Sequence, residues 1–409
     1  MKADAISSRA NVRGLALPLA VAFIVAMGYG VVLPVLPFML ARTLGETARA
    51  AIALHTGLLM GVYMLALFLF APLWGYVADR AGRRMLILLG LAGLSGAMLL
   101  LALVRDLPLI YGARVVAGLF AAMVLPAVFA QVSDTCAPGV RAQAFAWLSS
   151  ANALGFLFGP ALSGWIVSAG IVTGGDAMGL PFYVVAALIG LIWFAVYRFP
   201  TTVPLEHIMS DVPKTGAPSL AWLLVMSLLV MFGLGSFEVS LALQGQQVLS
   251  LGPSTIGWMF AECSLVMILI QFFGLAPLIQ RLGGGGLLAL AFFVMAVGVG
   301  LLPYAANYFV LLLAVAMIAA ASGLLIPALA YLVSLAAGTA QGAALGKQTA
   351  VASLGQATGS AAAGWLFGLF ALAPFWMTAG LLILGMVMAI YMSRIQTPKR
   401  TMNNNNQGG

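Results

Sequence analysis

The sequence predicts an all-α membrane protein in which twelve transmembrane helices form two pseudo-symmetric six-helix bundles. Three observations carry that expectation. First, the 409 residues are 63% hydrophobic and only 7% charged, with a mean hydropathy of +1.11. A soluble domain needs about a quarter charged residues to solvate its surface. Second, the apolar residues come in unbroken runs rich in Leu, Ala, Val, Met and Gly. They do not alternate with polar ones, which excludes a transmembrane β-barrel and leaves helices as the spanning element. Third, the two halves of the chain repeat one another.

A helix crosses the hydrocarbon in about 20 residues. Apolar stretches of that order lie at 15–40, 52–76, 84–104, 107–133, 143–169, 180–198, 219–247, 254–280, 286–304, 308–335, 345–370 and 372–393. The basic start, Lys2, Arg9 and Arg13, runs into a full-length span and not into the short core of a cleavable signal, so the first helix is expected to be retained. The longest polar interval carries Pro200, Pro204, Pro213 and Pro218 with Glu206, His207, Asp211 and Lys214. It divides the chain into an N-terminal bundle (1–199), a cytoplasmic linker (200–218) and a C-terminal bundle (219–409) that ends in a polar, low-complexity tail.

The repeat is clearest where Gly155, Gly159, Gly164 and Trp165 are answered by Gly355, Gly359, Gly364 and Trp365. Likewise Leu125-Pro126-Ala127 faces Ile326-Pro327-Ala328, and Arg80-Ala81-Gly82 faces Arg281-Leu282-Gly283. Copies with an even number of spans lie the same way up, related by an axis along the membrane normal. Two such bundles can rock about a midplane cavity.

With both termini cytoplasmic, 14 of the 18 basic residues fall inside: Lys2, Arg9, Arg13, Arg80, Arg83, Arg84, Arg141, Arg198, Lys214, Arg281, Lys347, Arg394, Lys399 and Arg400. The positive-inside rule selects that orientation. The net charge of +8 is therefore a topology signal and not the basic face of a nucleic-acid binder. Cys136 and Cys263 form no disulfide framework or metal spacing and read as packing residues. His55 and His207 are placed at or near loops, also without metal spacing. No phosphate-binding Gly-x-x-x-x-Gly-Lys-[Ser/Thr] loop is present, which argues against ATP-driven pumping and against an enzyme. The glycines from Gly283 to Gly286 read as a flexible inter-helix loop.

The segment Gly75-Tyr-Val-Ala-Asp79-Arg80-Ala-Gly82-Arg83-Arg84 resembles the signature loop of the major facilitator superfamily, and the fold that resemblance implies is the major facilitator fold. Its glycines permit a tight turn, and Asp79 can sit against a positive helix N-terminus as part of a gating latch. Gly155, Gly159, Pro160, Ser163 and Gly164 resemble the motif that marks antiporters of the drug:proton branch, with Trp147 where that motif begins on glycine. The same small residues can serve close helix packing, which is the expected role of Gly355 and Gly359. The runs His55 to Pro72 and Leu33 to Pro37 look like the tetracycline exporters. Val25 and Met267 stand where those exporters have an acid and a histidine, so the resemblance implies the broader antiporter branch and not tetracycline itself.

Arg114, in Arg114-Val-Val-Ala-Gly118, is similar to the superfamily's fourth-helix motif, which implies a part in proton transfer. A second reading stays open: an arginine this close to Leu107 can snorkel to the outer interface. Glu238 and Glu262 are the acids deep in spans. Leaving water costs the ionised carboxyl most, so such a group can load and release a proton as the cavity changes side. Glu238 is the first candidate for proton coupling because the seventh span would line the family's cavity. Arg114 and Glu262 follow. Phe23, Tyr29, Gln131, Phe237, Gln244, Gln271 and Tyr331 are candidate substrate contacts, a set suited to amphiphilic cations.

The expected function is proton-coupled export of small amphiphilic drugs by alternating access across a bacterial-type inner membrane. An exporter or importer of a sugar, siderophore or other metabolite, and a non-transporting membrane sensor, are the alternatives. The implied partners are a small-molecule substrate, protons and lipid, with no nucleic acid, no cofactor, and function as a monomer.

Overall fold

A computed structural model describes the chain except residues 1, 136–137, 170–177, 200–218, 306–307, 338–340 and 397–409. The side chains at 2–14, 75, 78–81, 133–135, 138–143, 145–146, 337, 341–343 and 395–396 also lie outside the description. Cys136, His207 and the whole linker therefore fall outside the described residues.

The described chain is helical and contains no strand. In the N-terminal half the helices are α1 (Lys2–Gly30), α2 (Leu36–Leu44), α3 (Arg49–Ala81), α4 (Arg83–Leu103), α5 (Leu107–Thr135), α6 (Pro138–Ser168) and α7 (Leu180–Arg198). The C-terminal half has α8 (Leu220–Leu243), α9 (Pro253–Phe273), α10 (Leu275–Leu301), α11 (Tyr308–Ala337), α12 (Gln341–Leu369) and α13 (Ala373–Gln396). Setting aside the short α2, twelve long helices correspond to the twelve expected spans.

Ten of the helices are long and apolar enough to cross a bilayer by length and composition. The other two differ from these. On α1 the fully described part is Leu15–Gly30, the side chains before it lying outside the description. Helix α12 is built largely of Gly, Ala, Ser, Thr and Gln because it packs on α8 and α3 together.

Three sequence expectations are corrected. The first span does not continue to residue 40. It breaks into a turn over 31–35 and restarts as α2, because Pro34 lacks the N–H a continuing helix needs and Pro37 suits a helix start. The glycines from 283 to 286 are not a loop: only Gly283 leaves helical geometry, at φ 69, and Gly285 is packed against Ser393. His55 lies within α3, where Nδ1 is 2.9 Å from the Tyr111 hydroxyl of α5.

Glycines set the helix contacts. In lipid, helices gain little by hiding apolar surface, so close backbone approach at small residues does the holding. A Cβ on Gly155 would strike the Phe23 carbonyl of α1, and one on Gly159 would lie 2.7 Å from the Met27 carbonyl. The repeat does the same in the second half, where Gly355 meets Leu228 and Gly359 meets Phe232 of α8. One turn on, both helices reach across to the other bundle. Gly164 of α6 would place a Cβ 2.7 Å from the Pro253 carbonyl of α9, and Gly57 of α3 one 2.7 Å from Gly364 Cα of α12.

These two cross-bundle seams share the end of the molecule where α3 and α9 begin. Farther along the same helix faces, Pro72 of α3 and Phe272 of α9 are exposed, so the seams part toward the opposite end.

Substituting valine at the two kinds of glycine separates their roles. Gly359→Val overpacks α8 against α12 inside one bundle, at a cost of about 1–3 kcal/mol, and is expected to lower the melting temperature of the purified protein. Gly57→Val is expected to leave melting nearly unchanged but to weaken oxidative cross-linking between Ala50→Cys and Gly368→Cys, which face each other across the α3–α12 seam.

Candidate functional site

Charge inside the apolar body is concentrated where the bundles meet. Helix α8 carries Glu238 past its midpoint, 6% exposed. The Tyr29 hydroxyl, at the end of α1, donates to Glu238 Oε2 at 2.6 Å. The Gln356 amide of α12 donates to the same oxygen at 3.1 Å and to the Tyr29 oxygen at 3.2 Å. Two donors on one carboxyl oxygen is the pattern an ionised carboxylate satisfies well.

Arg114 of α5 is 0% exposed, so it does not snorkel. Its Nε donates to the Leu59 carbonyl at 3.1 Å and Nη2 lies 3.5 Å from Met60 Sδ. The guanidinium stands 4.6 Å from the Tyr63 ring centroid and 5.9 Å from that of Tyr29. Nη1 has no hydrogen-bond partner among the described residues. Cation–π attraction to two rings helps hold this charge away from water, and Glu238 lies within its electrostatic reach.

Sequence reasoning named Glu238, Arg114 and Tyr29, and the fold brings these three together. It missed Gln356 and Tyr63. For Gln356 a signal existed: the repeat places it opposite Phe156, whose ring meets Tyr29 edge-on at 5.4 Å. A polar group replacing an aromatic at that position marks the half that holds the carboxyl. Tyr63 gave no such signal, because its ring earns its place only through α5 packing on α3.

Glu262 stands apart on α9, half-buried, on the helix face that carries exposed Trp258, Leu265 and Leu269. Its Oε2 has no hydrogen-bond partner among the described residues. The neighbouring Cys263 is buried within electrostatic reach of both carboxyls.

The remaining substrate candidates are dispersed. Phe237 is buried edge-on to Phe260 at 6.4 Å, and Phe23 packs against Phe158 at 6.0 Å. Gln244 is buried where α8 passes into a π-turn over Gln244–Val248. Gln271 is half-buried, and Gln131 lies within the N-terminal bundle beside Leu17, Val21 and Val128. Tyr331 is exposed.

In the gating loop, Gly82 at φ 87 makes the turn between α3 and α4, and Gly283 repeats it in the second half. Arg84 donates to the carbonyls of Val196 and Tyr197, at 3.2 and 2.7 Å, closing the C-terminal end of α7. The side chains of Gly75, Asp79 and Arg80 lie outside the described residues, while Arg83 is half-buried beside Gly82. The antiporter motif straddles two contacts: Gly155 and Gly159 on α1, Pro160 and Gly164 on α9.

Known proteins share this organisation. The chain is 26% identical over 379 residues to Multidrug resistance protein 2 of Bacillus subtilis, covering 89% of this chain and 91% of that one. It is 25% identical over 376 residues to Quinolone resistance protein NorA of Staphylococcus aureus, with 90% and 93% covered. Among solved structures, the human organic anion transporter MFSD10 superposes with a TM-score of 0.67 at 20% identity, over 93% of this chain and 99% of the other. A bacterial homolog of the human lysosomal transporter Spinster, in an inward-facing conformation, gives 0.68 at 14% identity, over 94% and 96%. The family model of the Major Facilitator Superfamily matches residues 19–252 and again 223–408. This multi-pass membrane protein therefore belongs to the major facilitator superfamily of transporters.

Proposed function

We propose that the protein exports small amphiphilic, often cationic drugs from the cytoplasm in exchange for protons, by rocking its two bundles about the Glu238 cluster. The observation that carries the reading is a buried carboxyl shared between the bundles, with Arg114 behind it. Glu238 would carry the proton. Arg114 would favour the carboxylate when the site faces the cytoplasm and so promote release. The names of the two bacterial relatives, one multidrug resistance and the other quinolone resistance, favour drugs as the cargo.

The charge distribution supports an orientation in a bacterial inner membrane with both termini cytoplasmic, and a division into bundles of 1–199 and 219–409 joined by a cytoplasmic linker. In that orientation the closed seams lie outside and the molecule faces inward. The chain would work as a monomer, since the Glu238 cluster is completed within it. Glu262, on a face rich in exposed apolar residues, would assist less directly.

Two experiments test this reading. Expression in a drug-hypersensitive bacterial host is expected to raise resistance to several unrelated lipophilic cations. A profile limited to one sugar or siderophore would favour the metabolite alternative. In proteoliposomes with an imposed pH gradient, Glu238→Gln is expected to bring gradient-driven drug transport to background. Unchanged gradient-driven transport would remove Glu238 from the mechanism.

Arg114 makes a further case. Arg114→Ala removes the hydrogen bond to the Leu59 carbonyl, the contact with the Tyr63 ring and the charge that acts on Glu238, and is expected to lower the melting temperature and abolish coupling. Arg114→Lys, which keeps the charge but loses the planar guanidinium, should recover stability more than transport.

A further inference from the structure

The hydrogen bonds at Glu238 do more than satisfy a buried acid, because they join elements that must separate. Tyr29 belongs to α1 of the N-terminal bundle, whereas Glu238 and Gln356 belong to α8 and α12 of the C-terminal one. The contact lies toward the end where both cross-bundle seams are closed. Opening that end pulls α1 away from α8 and takes Tyr29 from the carboxyl. An ionised carboxyl deprived of a donor in this surrounding is costly.

We propose that Tyr29 and Gln356 form a latch that keeps the outer seam closed while Glu238 is ionised, and that a substrate opens it only by offering its own cationic N–H donor to the same carboxyl oxygen. This rests on the reading of Glu238 as the coupling carboxyl and names the two residues that would enforce an exchanger's general requirement, that the ionised carrier without cargo does not turn outward. After the inward-facing carboxylic acid gives its proton to cytoplasmic water, the carboxylate takes both donors and the seam stays shut. A protonated amine then replaces the Tyr29 hydroxyl, neutralises the carboxylate and frees the seam. On the outer side a proton replaces the amine, and the neutral acid, needing no second donor, lets the bundles close again. Slippage, in which the ionised carrier turns outward without cargo, takes up a proton there and returns as the neutral acid, leaks protons inward without export and is suppressed by the Tyr29 hydroxyl.

The groups facing Glu238 are consistent with this division of labour. Arg114 is fixed by the Leu59 carbonyl and the Tyr63 ring inside the N-terminal bundle. Cys263, on α9, is a further titratable neighbour among the described residues. Among these, Tyr29 is the cross-bundle group whose hydroxyl hydrogen-bonds to the carboxyl.

The cargo class follows: compounds with a protonated amine bearing at least one N–H should be exchanged tightly with protons. Quaternary ammonium compounds, which have charge but no donor, should open the seam less well.

The test uses the full chain in proteoliposomes and the variants Tyr29→Phe and Gln356→Leu. Tyr29→Phe removes one hydroxyl and keeps the ring that packs on Tyr63 and Phe156. Losing one hydrogen bond to a charged group should raise the outward-open fraction on the order of tenfold or more. Spin labels at Arg49→Cys and Leu369→Cys, on the two sides of the outer seam, are expected to show one short distance in the parent protein above neutral pH and a second, longer one in Tyr29→Phe. Substrate-free proton influx down an imposed gradient should rise in parallel, and adding Glu238→Gln to Tyr29→Phe should abolish that leak.

An unchanged distance distribution and unchanged leak in both Tyr29→Phe and Gln356→Leu would overturn the latch, even where Glu238→Gln alone still abolishes coupling. Should Glu238→Gln leave coupling intact, the failure lies in the coupling reading itself. Equal opening by a secondary-amine drug and its quaternary analogue would remove the donor requirement.

Discussion

Lipid offers little hydrophobic reward for bringing two helices together, so this molecule depends on how closely backbones approach. Glycines at four- and five-residue spacing on α6 and α12 supply that approach. Each helix uses its first pair inside its own bundle and its last glycine across the divide. The same sequence device thus builds a permanent contact and a separable one. They differ in place: the cross-bundle contacts stand near the end where α3 and α9 begin, and residues farther along those helices, such as Pro72 and Phe272, are exposed.

Against that apolar frame, the few charges left inside acquire weight. Arg114 and Glu238 sit on opposite bundles with two tyrosines around them. Arg114 is fully buried and held by the Leu59 carbonyl and the Tyr63 ring of α3, and Glu238 is nearly buried and held by Tyr29 of α1 and Gln356 of α12. A buried ionic couple of this kind contributes little to stability compared with an apolar filling of the same volume. Under the proposed mechanism its use would lie in work done on charge during transport.

The sequence made twelve spans, their repeat and the identity of the buried charges legible, since all three depend on composition and order alone. It failed where neighbours decide. Pro34 and Pro37 were visible, yet a run of apolar residues on both sides concealed that the first span ends between them. The glycines from Gly283 suggested a loop, but the turn is confined to Gly283, and Gly285 packs against Ser393 within the helix that follows. Seven substrate candidates were chosen by type and span, and Tyr29 alone joins the charged cluster, because facing a cavity is a matter of helix rotation that span membership does not specify. Gln356 was hidden inside a motif read as helix packing, though its mismatch with Phe156 across the repeat marked it.

By itself, then, the sequence determined that the chain lives in a membrane, how many times it crosses, that it is built twice, and which few residues carry charge into the interior. Those properties follow from the cost of solvating or burying each residue, which is local. Only the tertiary structure decided that Tyr29, Glu238 and Gln356 share one oxygen, that Arg114 points inward and not to the interface, and that both seams close at the same end. Residues more than two hundred positions apart meet there, and their meeting depends on the rotation and tilt at which whole helices pack.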